Sequence, residues 1–177
     1  ICIDDKINND IVKELKNQNF YTYGINNKSN FFIKNIRQSM KFSEFDLQIN
    51  VPNKKKLTIK KIKIPLLGIH NIRNSVAATA VALTVGISVS NIKEGLLNFK
   101  GVQRRFNKIF SYNEIDFYDD YAHHPTEIKV VLEGVNKVYK NYEKVCVFQP
   151  HRISRLKDLK KEFSFAFEDA DTVILCP

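Results

Sequence analysis

The stretch Asp119-Asp120-Tyr121-Ala122-His123-His124-Pro125-Thr126-Glu127-Ile128 gathers two carboxylates, a phenol and two imidazoles directly before a proline. Asp119 and Asp120 could accept hydrogen bonds from ribose hydroxyls or hold a metal ion. His123 and His124 could donate to a substrate carboxylate, or one of them could cap a following helix. Burying such a set without a ligand would be costly. A second cluster, Gln149-Pro150-His151-Arg152-Ile153-Ser154-Arg155, places two arginines three residues apart. On a helix start, Arg152 and Arg155 share a face, and the free backbone N–H groups add to their field, which suits a carboxylate or phosphate. A third, His70-Asn71-Ile72-Arg73-Asn74, offers two amides three residues apart. Each amide carries a donor and an acceptor, the pattern of the N6/N7 edge of adenine, although Asn71 serves equally well as an N-cap. Arg104 and Arg105 offer a phosphate contact or simply linker charge.

These clusters need elements to position them. Ile1–Ile3 reads as a short strand ending in Asp4-Asp5, followed by a short helix through Ile11 and Leu15 and a strand from Phe20 to Tyr23 closed by Gly24. Phe45–Val51, the turn Pro52–Lys56 and Leu57–Pro65 read as a β-hairpin. Ile62 and Ile64 are out of step with Leu57 and Ile59, which predicts a bulge at Lys60-Lys61, with the lysines guarding an edge strand. An Ala-rich helix with Asn71 as N-cap follows Gly68 and ends near Gly86; a second helix covers Val89–Phe99. A domain boundary is expected at about Gln103. Beyond it, Ile109–Tyr112 and Ile115–Tyr118 flank the turn Asn113-Glu114, and Pro125 opens a helix to about Tyr139 with Glu127 in its first turn. A strand at Val145–Phe148, a helix over Leu156–Phe167 and a strand at Thr172–Leu175 complete a strand–helix–strand–helix–strand order. That order predicts a parallel sheet with ligands outside the carboxyl ends of its strands, where both charged clusters fall.

Composition narrows the classes. The 177 residues are 44% hydrophobic and 27% charged, with a net charge of +9. The basic residues are spread along the chain and interleaved with asparagine, without the stripe and motif of a nucleic-acid module. Cys2, Cys146 and Cys176 show neither metal spacing nor a disulfide framework, so a reduced, cytoplasmic setting is expected, with Cys146 and Cys176 as small buried hydrophobes. The longest apolar stretch, Val76–Val89, falls short of the roughly 20 residues of a membrane span. The opening ICIDD is already strand-like and VILCP stops just after a strand, so the chain is expected to be a fragment.

Taken in order, GIHNIRNSVAA, GVQRRF, DDYAHHPTEI and VFQPHRISR resemble the Mur ligase family. The pairing of DDYAHHPTE with FQPHRxSR is similar to the branch that adds the first amino acid of the peptidoglycan stem. The resemblance covers nearly the whole chain, since the opening CIDD and the later Tyr23-Gly24 also fit. It implies an α/β fold: residues 1–103 as the C-terminal part of a central ATP-binding domain, and residues 104–177 as a partial Rossmann-like parallel α/β C-terminal domain. It implies ATP-dependent ligation of L-alanine to UDP-N-acetylmuramate through an acyl phosphate, in the cytoplasm, with Mg²⁺ as cofactor. By resemblance Asn71 and Asn74 contact the adenine, Arg105 the phosphates and Asp120 the ribose. His123, His151, Arg152 and Arg155 gather around the alanine and acyl end, with Tyr121 beside the substrate. No G-T-x-G-K-T phosphate loop is present, and the family's Mg²⁺ ligands are expected upstream of Ile1, so the isolated chain is expected to hold no metal and to be inactive. Two alternatives stand beside this reading: a recycling ligase that attaches a tripeptide, which is not expected to carry Gln149-Pro150-His151-Arg152, and a non-catalytic nucleotide-binding remnant. Folylpolyglutamate synthases share the architecture but not the histidine pair.

Overall fold

A computed structural model describes residues 1–15 and 19–177. The chain divides into two compact units, Ile1–Phe99 and Lys100–Pro177.

In the first unit, α1 (Lys6–Glu14) starts at Asp5, whose carboxylate accepts the Asn8 N–H at 3.1 Å. The short strand expected over Phe20–Tyr23 narrows to β1 (Tyr23–Gly24), and Ile1–Ile3 contributes one parallel bridge, Cys2 to Tyr23, in place of a strand. The chain turns away at Asp4, whose carboxylate occupies the space that a side chain at residue 24 would need; only glycine fits there. β1 runs parallel to β2 (Phe31–Gln38), and β3 (Ser43–Ile49) and β4 (Leu57–Ile64) extend the sheet antiparallel in the order β1-β2-β3-β4. Strict alternation along β3 sends Ser43, Phe45, Leu47 and Ile49 inward, as the period of a half-buried strand requires.

The hairpin and its bulge stand where the sequence predicts them. Leu47 pairs with Ile59 and Phe45 with Ile62, so Lys60 and Lys61 together face Asp46. Lys61 adopts φ 54° and turns its N–H to the Asp46 carboxylate at 2.8 Å. This extra residue returns Ile62 and Ile64 to the buried face beside Ile59. β4 is an edge strand, as expected.

The inner face of the sheet is covered by α2 (Ile69–Thr84), which buries Ile72 and Val76, while α3 (Val89–Leu97) starts at Ser88 and buries Ile92. Asn71 is not the N-cap of α2. Gly68, at φ 87°, holds that position, and Asn71 lies within the first turn with its Nδ2 donating to the Leu67 carbonyl at 2.7 Å. A glycine serves at the cap because the backbone there needs a conformation that asparagine adopts less readily.

In the second unit, β5 (Asn107–Tyr112) and β6 (Ile115–Asp119) form an antiparallel hairpin around Asn113 and Glu114, both at positive φ as a two-residue turn demands. α4 (Pro125–Val138) follows, with Pro125 at its start. β7 (Val145–Phe148) and β8 (Thr172–Leu175) pair in parallel, as expected. The continuous three-strand sheet does not form: β6 is bonded to β5 through their tight turn and not to β7. The single helix expected over Leu156–Phe167 is two short ones, α5 (Ile153–Asp158) and α6 (Lys160–Ser164). Neither has a side-chain cap or a buried residue, so little holds them as one rod; Phe163 and Phe167 instead turn onto Phe148. Cys146 and Cys176 are half-buried and not fully enclosed, because β7 and β8 are covered on only part of their surface. Among the described residues no helix is long and apolar enough to cross a membrane.

Candidate functional site

In the second unit the acid–histidine stretch follows β6 directly. Asp120 turns the chain: its Oδ2 accepts the Phe106 N–H at 2.8 Å and its Oδ1 the Ala122 N–H at 2.6 Å. Tyr121 donates its N–H to the Arg104 carbonyl at 2.8 Å. These bonds lace Arg104-Arg105-Phe106 to Asp119–Ala122, two segments far apart in sequence. Asp119 pairs with Arg104 at 3.4 Å, and the Arg104 guanidinium lies over the Tyr121 ring, 4.7 Å from its centroid.

His124 is the N-cap of α4, its Nδ1 accepting the Thr126 N–H at 3.3 Å. Glu127 closes the capping box from the other side. Its Oε2 accepts the backbone N–H groups of His123 at 3.0 Å and His124 at 3.2 Å, and its Oε1 lies 3.8 Å from the Arg105 guanidinium. Burial pushes the Glu127 carboxyl up, but the two N–H groups, then His123 and Arg105, outweigh it and hold it below its ordinary value. The His123 Nδ1 sits 2.8 Å from the Tyr121 carbonyl. A carbonyl only accepts, so the proton belongs on Nδ1, which leaves Nε2 of the neutral ring as a lone-pair acceptor. Arg155, from α5, donates to the His123 carbonyl at 3.4 Å.

The structure therefore brings Arg105, Asp120, Tyr121, His123 and Arg155 into one linked cluster, in which Arg105 and His123 meet Glu127 and Tyr121 and Arg155 meet His123. His151 and Arg152 remain exposed. Arg152 does not sit on the α5 helix face beside Arg155; it is the residue before the helix, at φ 66°, so the shared face expected for the two arginines is absent. Glu127 is the residue of this cluster that sequence reasoning missed. Its spacing of three from His124 was the available signal. In the first unit, Asn71 keeps its Oδ1 as an acceptor after Nδ2 is engaged, and Asn74 is exposed one turn on along α2. Among the described residues, no group of three or more His, Cys, Asp or Glu side chains is placed to hold a metal ion.

Residues 1–82 match the model of the Mur ligase middle domain, and residues 104–177 match that of the Mur ligase glutamate ligase domain. The chain belongs to the Mur ligase family. Its relatives within the Mur ligases are specific in kind. It is 69% identical over all 177 residues to the UDP-N-acetylmuramate–L-alanine ligase of Pelagibacter ubique, of which it spans 38%. It is 41% identical, over 99% of its length, to the enzyme of the same name from Brachyspira hyodysenteriae, of which it spans 37%. The crystal structure of the UDP-N-acetylmuramate–alanine ligase MurC from Thermotoga maritima superposes on 88% of the chain and 33% of that protein, with a TM-score of 0.72 at 30% identity. The chain thus spans well under half the length of these Mur ligases, and its α/β fold, with parallel pairing in both units, is theirs.

Proposed function

We propose that this chain is the central and C-terminal part of a cytoplasmic ligase that joins L-alanine to UDP-N-acetylmuramate at the expense of ATP, in peptidoglycan precursor synthesis. The observation that supports it most is identity at 69% of positions along the full 177 residues with a ligase of that name. We further propose that the two partial domains meet at about Gln103, with residues 1–103 central and 104–177 C-terminal.

Each unit, taken by itself, offers groups that suit a part of ATP. Each Asp120 oxygen already accepts one N–H and keeps a lone pair, which suits vicinal ribose hydroxyls. Asn71 offers an acceptor and Asn74 an exposed amide for the adenine edge. Arg105, half-exposed and loosely held by Glu127, is free to turn toward a phosphate. ATP supplies the activation of the substrate carboxylate as an acyl phosphate. This chain's residues then serve the attack of the amine. Arg155 holds the alanine carboxylate, and Arg152, exposed just before α5, lends its charge from outside the cluster. His123, with Nδ1 fixed by the Tyr121 carbonyl, presents Nε2 as the base that takes a proton from the alanine nitrogen as its free amine attacks the acyl carbon and phosphate leaves. His151 and Tyr121 lie beside the acyl end. Among the described residues no group of three or more His, Cys, Asp or Glu side chains gathers to hold Mg²⁺.

The test is product formation in the full-length ligase: release of ADP and phosphate that depends on both UDP-N-acetylmuramate and L-alanine. If a tripeptide replaces L-alanine with higher kcat/KM, the recycling reading wins. If neither amine gives turnover, the chain is a nucleotide-binding remnant. Arg155→Ala is expected to raise the alanine KM by roughly ten- to hundredfold, the value of a lost charge-assisted hydrogen-bond pair, with ATP binding little changed.

A further inference from the structure

Asp4 is the most thoroughly engaged buried charge of the first unit, and nothing in the site above uses it. Its side chain is 6% exposed. Oδ1 accepts the Asn26 N–H at 3.0 Å; Oδ2 accepts the Ile25 N–H at 3.0 Å and Nε of Arg73 at 2.7 Å, with the Cys2 thiol at 3.9 Å. The carboxylate thus ties together three segments: the chain start, the turn after β1 and the beginning of α2, 69 residues away. Gly24 leaves the room that lets it enter.

Arg73 lies between Asn71 and Asn74 on the first turns of α2. That helix end has no side-chain cap and no acidic residue in its first turn. A cation there is disfavoured by the positive end of the helix dipole, and a carboxylate beside it reverses the sign of the local field. The Asp4–Arg73 bond therefore ties this turn to the chain start and to the turn after β1, beside the packing of Ile72 and Val76 into the core. Asp4 is the withdrawn half of this pair and Arg73 is partly exposed, so losing Arg73 leaves the buried carboxylate without its counter-charge.

We propose that Asp4, acting through Arg73, is a positioning residue that sets how Asn71 and Asn74 are presented to the adenine edge, and so sets the preference for an adenine nucleotide. The proposal rests on the reading of Asn71 and Asn74 as adenine contacts. Adenine offers a donor at the six position where guanine offers an acceptor, so a misplaced amide pair loses discrimination between them.

The experiment compares kcat/KM for ATP and for GTP in the full-length ligase, for wild type, Asp4→Asn, Arg73→Met and Asn74→Ala. All three variants are expected to lower the ATP-to-GTP ratio by about fivefold or more, a loss of transition-state discrimination. A purely structural ion pair would lower both values together and keep the ratio. If Asn74→Ala shifts the ratio while Asp4→Asn and Arg73→Met keep that of wild type, the positioning role is overturned and the adenine reading survives. If Asn74→Ala keeps it too, the adenine reading fails and takes the proposal with it. Arg73→Met leaves the Asp4 bonds to Ile25 and Asn26 in place, so it decides the matter even where Asp4→Asn does not fold.

Discussion

Glu127 shows how one side chain can hold both a helix start and the charged cluster ahead of it. Its carboxylate satisfies two backbone N–H groups ahead of α4 and faces Arg105 and His123. Glu127→Ala removes that acceptor and is expected to destabilise the second unit by about 1–2 kcal/mol, the usual cost of a lost cap, read as a fall in its unfolding midpoint. Glu127→Gln keeps an acceptor for the N–H groups and removes the charge, so it should lose less. The pH dependence follows from the sign of the shift. The folded-state pKa lies below the ordinary value of 4.5, so the charged form stabilises the fold above that pH. The contribution is lost as pH falls through the folded pKa, and the wild-type advantage over Glu127→Gln should shrink below about pH 4.5 in acid unfolding curves. Growth of that advantage toward lower pH would contradict the assignment.

At the scale of elements, the bulge in β4 depends on Asp46. Its carboxylate accepts the Lys61 N–H at 2.8 Å and the Asn35 amide at 2.8 Å, and the Asn35 bond, followed by that of Lys61, holds its pKa below the ordinary carboxylate value. Asp46→Ala leaves the bulge without its acceptor, and a loss of about 1 kcal/mol in chemical denaturation is expected. This element was legible because the phase slip between Ile59 and Ile62 is written in the residue order. So were the parallel pairing of β7 with β8 and the hairpin at Asn113-Glu114. The start of α2 was less so, since Gly68 and Asn71 both carry cap chemistry and only the backbone conformation chooses between them. The split of Leu156–Phe167 was hidden because its apolar residues keep a helical spacing throughout, while the packing onto Phe148 is set by residues distant in sequence. Of the residues expected to gather with His123, Arg155 reaches it while His151 and Arg152 stay exposed, and Glu127 went unread because an acid in a first helical turn has an ordinary explanation.

Over the whole molecule, burial is uneven. The first unit holds an extended core in which Phe45, Leu47, Ile62, Ile72 and Val76 are fully enclosed; the second encloses Ile128, Phe148 and Ala166 with several half-covered neighbours. Stability follows apolar area removed from water, so calorimetry should resolve two transitions, the lower belonging to the second unit. Phe148→Ala, at about 3–5 kcal/mol for a buried phenylalanine, should abolish the lower transition and leave the upper one in place. A single transition that moves as a whole would refute that division.

The paired lysines opposite Asp46 carry a consequence for the molecule in a crowded solution. Removing Lys60 alone would leave Leu-Thr-Ile-Lys-Ile-Lys-Ile, a perfectly alternating run that keeps Ile59, Ile62 and Ile64 on the buried side. The alternation of the buried face would by itself be met without the extra residue. Its effect is on meetings between copies: Lys61 directs its N–H back to Asp46 and breaks the even row of backbone donors and acceptors that a second sheet could join. The Lys60 deletion is therefore expected to fold normally by circular dichroism yet scatter light increasingly with concentration, while the parent chain stays monodisperse through this edge.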